Sequence, residues 1–254
     1  MDEALFSVAG KTALVTGGSR GIGRMIAAGL VEAGASVYIT SRKAEACQAT
    51  ADELGPTCRA LPGDLSTAAG CAAVASQLTG LESHLDLLVN NAGANWFAPM
   101  AEHGDQAWDK VLAVNLKGVF HLTRFLLPLL EAAASEEDPA RVVVIGSVEG
   151  LKPSHYETYA YGASKAGVHH LTRQLARELA PRITVNAIAP GPFPTDMISG
   201  DAFEEELLAS TALHRWGRQD DAAGAVIFFA SRAGSFVTGA VLAVDGGQAS
   251  VGSY

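Results

Sequence analysis

Short apolar runs rich in Val and Ile alternate along the chain with longer stretches whose apolar residues recur at helical spacing. The runs are Lys11–Gly17, Ala35–Ser41, Cys58–Asp64, Leu85–Gly93, Arg141–Ser147, Ile183–Gly191 and Val241–Gly247. A strand with one wet face alternates apolar and polar residues, but Arg141-Val-Val-Val-Ile-Gly146 does not. Such runs predict strands covered on both faces, joined by helices acting as parallel crossovers. The expected architecture is α/β: a doubly wound sheet of about seven parallel strands with helices on both faces.

No linker, composition break or repeat divides the chain, so residues 1–254 are read as a single domain, a size that buries a substantial core. Ser135-Glu-Glu-Asp-Pro139 reads as a solvated connection. Between Gly191 and Trp216 the alternation is interrupted by Pro192, Pro194, Gly200 and a short amphipathic piece around Glu204–Leu208. An irregular insertion after a late strand lies beyond the carboxyl ends of the strands, where open α/β sheets bind ligands, so about 192–216 is expected to form a lid.

Charge and cysteine content narrow the partners. With 18 basic and 27 acidic residues the net charge is −9, which opposes attraction to nucleic acid. Cys47, Cys58 and Cys71 form an odd set without C-x-x-C, as expected of a cytoplasmic protein in a reducing environment. Met1–Phe6 has no basic region, and the apolar stretch from Val111 to Ala134 is interrupted by Lys117, His121 and Arg124. Neither a signal peptide nor a membrane span is expected. His169 and His170 are neighbours on a helix and no H-E-x-x-H occurs, so no metal is expected.

The first strand runs into Thr16-Gly17-Gly18-Ser19-Arg20-Gly21-Ile22-Gly23 and a helix expected to begin near Arg24. Glycines let a backbone turn tightly against a pyrophosphate, and the free N–H groups of a helix start favour negative charge. The same residues contain Gly17-Gly18-Ser19-Arg20-Gly21, a formal G-x-S-x-G, which would make Ser19 the nucleophile of a serine hydrolase. The two readings compete at this point.

Tyr161-Gly-Ala-Ser-Lys165 lies in a helix-compatible run, so spacing puts Tyr161 and Lys165 on one face. An ammonium there favours phenolate, lowering the tyrosine's ordinary pKa of about 10 toward use as an acid or base. Ser147, at the end of its strand, is placed to hydrogen-bond a substrate oxygen beside Tyr161.

In this order the motifs resemble the short-chain dehydrogenase/reductase family over nearly the whole chain. They are Thr16-Gly17-x3-Gly21-Ile22-Gly23, Asn90-Asn91-Ala92-Gly93, Asn115, Ser147, Tyr161-x3-Lys165, Pro190-Gly191 with Thr195, and Asp245-Gly246-Gly247. The resemblance implies a Rossmann-type sheet and hydride transfer between a nicotinamide cofactor and a carbonyl or alcohol carbon. It implies that Tyr161 donates the proton, Ser147 holds the carbonyl oxygen, Lys165 binds the nicotinamide ribose and Asn115 anchors a proton-relay water. The cofactor would lie along Gly17, Ser19, Arg20, Gly21, Ile22 and Gly23, with Asp64 and Leu65 at the adenine and Asn91, Ala92 and Gly93 on the adjoining strand. Tyr161, Lys165, Pro190, Gly191, Phe193 and Thr195 would surround the nicotinamide. Two features depart from the family pattern: Ala189 precedes Pro190 where Asn is frequent, and the interval from Ser147 to Tyr161 is one residue longer than is common.

NAD-preferring relatives usually carry an acid at position 41. Here Ser41 and Arg42, with Arg20 from the glycine turn, offer donors and positive charge to a 2′-phosphate, so NADP(H) is expected. Within the family the chain is most similar to β-ketoacyl reductases of fatty acid metabolism, notably the rhamnolipid-associated type, through Ala44-Glu-Ala-Cys47, Pro190-Gly-Pro-Phe-Pro194 and Arg215-Trp-Gly-Arg218. The expected substrate is an acyl thioester or a bulky ketone held by an apolar wall of Trp96, Phe97, Phe193, Met197, Ile198, Phe203, Leu207 and Leu208, with His155 and Tyr156 nearby. A general carbonyl reductase is the alternative within the family, and a non-catalytic NADP-binding regulator is the alternative outside it. The family also implies a homotetramer, with a dimer next.

Overall fold

The computed structural model describes residues 3–195 and 201–251. Seven strands form one sheet: β1 (Thr12–Thr16), β2 (Ser36–Thr40), β3 (Cys58–Ala60), β4 (Leu87–Asn90), β5 (Ala140–Ile145), β6 (Ile183–Pro190) and β7 (Val241–Val244). All pair in parallel, in the order β3-β2-β1-β4-β5-β6-β7. Strand order reverses between β1 and β4, which opens the crevice where a ligand binds in such sheets.

Among the described residues, eight α-helices connect the strands: α1 (Gly21–Glu32), α2 (Ala44–Leu54), α3 (Ala68–Thr79), α4 (Asp105–Leu112), α5 (Val119–Ala133), α6 (Tyr159–Leu179), α7 (Asp201–Ala209) and α8 (Gln219–Ala230). Residues of β1, β5 and β6 are buried throughout, as the unbroken apolar runs predict. Alternate strand residues feed two cores. Leu14, Leu88, Val142 and Val185 pack with Leu78 of α3, Leu122 of α5 and Val168 of α6. Val15, Ile39, Val89 and Val143 pack on the opposite face with Ile26 of α1 and Val226 and Phe229 of α8. There Gly29 lets α1 and α8 approach closely, since a Cβ on it would lie 2.3 Å from the Ala223 methyl.

Arg141, in the apolar run of β5, is buried because its charge has work to do. Its Nε donates to the Phe229 carbonyl at 3.0 Å and its Nη2 to Asp138 at 2.8 Å and the Ser231 carbonyl at 3.3 Å. It thereby satisfies carbonyls at the end of α8 that the helix itself leaves without amide partners.

Several details differ from the sequence reading, and β4 and β7 are shorter than their apolar runs. α1 starts at Gly21, not near Arg24, so Ile22 and Gly23 belong to its first turn. β3 is only Cys58–Ala60, although the amides of Leu61 and Gly63 still bond to the Ile39 and Ser41 carbonyls beside it. Asn115 sits in a π-helical turn, Ala113–Gly118, set between α4 and α5. None of the described helices is long and apolar enough to cross a membrane.

Candidate active site

The Thr16 hydroxyl joins the ends of β1 and β4. It donates to the Val89 carbonyl at 3.2 Å and accepts from the amides of Asn91 and Ala92 at 2.8 and 2.9 Å. The Asn91 amide group donates to the Thr16 and Gly17 carbonyls at 2.8 and 3.3 Å. Gly17 and Gly21 take φ of +65° and +53°, in the left-handed region that glycine occupies without a steric penalty. At Gly23 the need is space, because a Cβ would stand 2.3 Å from the Gly17 carbonyl and 2.4 Å from Asn91 Nδ2. Arg20 is the N-cap of α1, and its side chain does not cap the helix amides. The first turn also lacks an acidic residue, which leaves its dipole and N–H groups to an external anion.

A cavity of about 1360 Å³ runs from this turn across the carboxyl ends of the strands. One end is lined by Gly17, Ser19, Arg20, Gly21, Ile22 and Gly23 with Ser41, Arg42 and Lys43. Arg42 is exposed, and the Ser41 hydroxyl accepts from the Lys43 amide at 3.2 Å. Asp64, also exposed, accepts the Ser66 amide at 3.0 Å, while the neighbouring Leu65 is buried. Asn91, Ala92 and Gly93 continue the floor, and Pro190, Gly191, Phe193 and Thr195 face them. A Cβ on Gly21 would meet the Thr195 methyl at 3.2 Å, so that the two walls come together over the turn.

Ser147, Tyr161 and Lys165 gather at the centre of the same cavity. Ser147 follows β5 and caps a short 3-10 turn, Val148–Gly150, its hydroxyl accepting the Glu149 amide at 3.2 Å. Tyr161 lies in the first turn of α6. Lys165, one turn on, donates from Nζ to the Ile145 carbonyl at 2.8 Å and sits 5.4 Å from the centre of the Tyr161 ring.

The expected lowering of the Tyr161 pKa is not what this arrangement produces. Burial pushes the phenol up to about 12, the Glu149 charge adds to that, and the Ser147 hydroxyl alone works against it. Lys165 points at a carbonyl and at the ring rather than at the phenol oxygen, and burial brings it down to about 8. Asn115 meets the site from the π-helical turn, its side chain fully engaged: Oδ1 accepts the Ala94 amide at 2.8 Å, and Nδ2 donates to the Ala94 carbonyl and to Ser164 Oγ, both at 2.9 Å.

At the far end the wall is more polar than the sequence suggests. Phe97, Phe193 and Leu207 line it, although the Phe193 ring is mainly buried against Gly217. Trp96 and Leu208 are off the wall, and Lys110 Nζ lies 4.9 Å over the Trp96 ring. Met197 and Ile198 lie outside the described residues, as does the Phe203 side chain. His155 does reach the cavity, where its Nε2 pairs with Glu206 Oε1 of α7 at 2.7 Å. Glu149, Lys152 and Gln248 were not anticipated, whereas Glu206 falls within the expected lid. Lys152 Nζ donates to the Gln248 carbonyl at 2.6 Å, and Gln248 Nε2 to Ser210 Oγ at 2.8 Å, so the C-terminal turn closes the back of the pocket. Only the position of Glu149, two residues past Ser147, hinted at any of these. Ser19 has no histidine hydrogen-bonded to its hydroxyl among the described residues, and its carbonyl accepts from Thr50 at 3.1 Å, so the hydrolase reading has no base to work with.

Comparison with known proteins agrees with this geometry. Residues 11–205 match the family described as short chain dehydrogenase. The chain is 49% identical over 249 residues to the rhamnolipids biosynthesis 3-oxoacyl-[acyl-carrier-protein] reductase of Pseudomonas aeruginosa, covering 95% of this chain and 97% of that one. It is 37% identical over 253 residues to the 2-dehydro-3-deoxy-D-gluconate 5-dehydrogenase of Pseudoalteromonas atlantica, covering 95% and 97%. Among solved structures, the Pseudomonas aeruginosa RhlG/NADP active-site complex superposes with a TM-score of 0.94 at 47% identity, covering 97% of this chain and 99% of that one.

Proposed function

The chain belongs to the short-chain dehydrogenase family, and on that premise we propose that it is an NADPH-dependent reductase of 3-oxoacyl thioesters. The observation that carries this is the meeting of Ser147, Tyr161 and Lys165 in one cavity with the glycine turn of α1. The uncapped start of α1 and the space kept open at Gly23 fit a pyrophosphate, and Ser41, Arg42 and Arg20 fit a 2′-phosphate.

When bound, the nicotinamide supplies hydride to the carbonyl carbon. Ser147 donates a hydrogen bond to the carbonyl oxygen and holds it beside Tyr161. The Tyr161 hydroxyl, which burial keeps protonated at neutral pH, gives its proton to the oxygen as negative charge develops there. Lys165 binds the ribose hydroxyls, and its charge stabilises the tyrosinate left behind. With its side chain spent on Ala94 and Ser164, Asn115 holds the π-helical turn in place, and a backbone carbonyl of that turn anchors the relay water. Residues 192–216, including α7, act as the lid over substrate, and Phe97, His155 and Phe193 contact it.

The test follows loss of nicotinamide absorbance with NADPH and with NADH, offering acetoacetyl-coenzyme A beside simple ketones. NADPH-dependent reduction of the thioester is the expected result. Activity confined to the ketones would overturn the thioester reading in favour of a general carbonyl reductase. Arg42→Ala is expected to lower the NADPH-over-NADH preference about tenfold, roughly 1.4 kcal/mol for a lost charged contact. A ratio unchanged in that variant would remove Arg42 from phosphate recognition.

A cytoplasmic homotetramer completes the proposal. Support comes from the three buried free cysteines and from apolar side chains left exposed: Phe120 on α5, Leu242 on the edge strand β7, and Phe236. Light scattering at micromolar protein is expected to return a multiple of the chain mass, and a monomer mass would refute it.

A further inference from the structure

We propose that Glu149 sets substrate charge specificity, its carboxylate turning away ketones that carry a carboxylate and leaving the pocket to neutral ketones and esters, thioesters included. This deepens the reading of the site as a reductase of 3-oxoacyl thioesters and rests on it.

Glu149 lines the cavity from the turn Val148–Gly150, with Ser147, Tyr161 and Lys165 on the same wall. Its Oε2 accepts from Thr158 Oγ1 at 2.6 Å, a length typical of a hydroxyl donating to an ionised carboxylate. The same oxygen lies 3.9 Å from where a Cβ on Gly162 would stand, so the carboxylate rests against the first turn of α6 beside Tyr161. The partial positive charge of a helix start favours an anion there. Burial raises the proton affinity of Glu149, while the Thr158 hydroxyl and the charges of Lys165 and His155 pull it back.

The cations at this end of the cavity keep their charge but are held in place by other partners, Lys110 over the Trp96 ring among them. His155 pairs with Glu206, which adds a second carboxylate to the same end of the cavity, and Lys152 holds the Gln248 carbonyl. Lys165 is held on the Ile145 carbonyl. The Glu149 charge acts on both Tyr161 and Lys165, so a ketone held at Ser147 and Tyr161 brings the group next to its carbonyl into the same field. A carboxylate there meets a like charge in a half-buried site, where repulsion is stronger than in bulk water. An ester or thioester carbonyl at the same place carries no charge and meets none of this repulsion.

Acetoacetate and ethyl acetoacetate present the same ketone with and without the charge. In Glu149→Gln the amide oxygen still accepts from Thr158, so the turn keeps its geometry. The ratio of kcat/KM for ester over acid is expected to fall about tenfold in this variant, through a gain on the acid. A ratio equal to that of the parent, whether both substrates weaken together or neither changes, would overturn the proposal and leave Glu149 as a support for α6. Tryptophan-fluorescence titration of the NADP+-loaded protein with acetoacetate reads the same property without turnover, since the oxidised cofactor has no hydride to give to a ketone. Binding about tenfold tighter in the variant is expected, and equal affinity in both proteins would overturn the proposal even if no ketone were reduced. Failure of the parent to reduce both ethyl acetoacetate and acetoacetyl-coenzyme A would sink the thioester reading alone, since the titration still decides the role of Glu149.

Discussion

Tyr161→Phe is expected to lower kcat for thioester reduction about a thousandfold, within the range of ~10²–10⁴ that a positioned proton donor contributes. NADPH affinity should stay within about twofold of the parent. The reason lies in what the substitution removes. The ring stays, 5.4 Å from Lys165 Nζ, and Lys165 keeps its bond to the Ile145 carbonyl, so the cofactor end of the cavity is untouched. The phenol hydroxyl is lost, and Ser147 can still hold the carbonyl oxygen but has no proton relay behind it. KM should therefore change little while kcat collapses, the pattern of an interaction made only in the transition state. Stopped-flow or steady-state assays beside a fluorescence titration with NADPH separate the two effects. Turnover near the parental rate would remove Tyr161 from the mechanism, and loss of NADPH binding would show that its role is structural.

The second large effect is expected at the opposite end of the cavity. In Gly23→Ala the new methyl group would stand 2.3 Å from the Gly17 carbonyl and 2.4 Å from Asn91 Nδ2. Neither atom can yield freely. The Gly17 carbonyl belongs to the tight turn, and Asn91 Nδ2 is bonded to two carbonyls of that turn. Relief requires α1 to move away from the ends of β1 and β4, which carries its first N–H groups off the pyrophosphate site. NADPH affinity should fall by about a hundredfold or more, with a stability loss of ~1–3 kcal/mol, as for overpacking elsewhere. Titration and thermal unfolding measure the two losses. Parental NADPH affinity in Gly23→Ala would mean that the glycine turn does not hold the phosphates.

The legible parts of this protein share a physical cause. The central strands were visible as unbroken apolar runs because parallel strands there are buried on both faces, which demands a composition the eye can read, whereas the edge strands β3 and β7 are partly exposed. Tyr161 and Lys165 were visible as a pair because helical periodicity is local. The start of α1 was placed three residues late because Gly21 and Gly23 are poor helix formers, and the lack of room for a side chain at Gly23, beside Asn91, is visible only in the folded chain.

Composition, periodicity and the ordered motifs thus determined the α/β class, the sheet's two-sided burial, the residues at the glycine turn and the Ser147, Tyr161 and Lys165 set. Tertiary structure decided the electrostatics and the shape of the pocket. The Tyr161 proton is held by burial rather than released by Lys165, because a pKa depends on solvent access and on where a charge points, and neither is encoded by spacing. The wall beyond Ser147 is more polar than the sequence suggests, with Glu149, Lys152, Glu206 and Gln248 joining it, because those residues come from three segments that only the folded chain brings together.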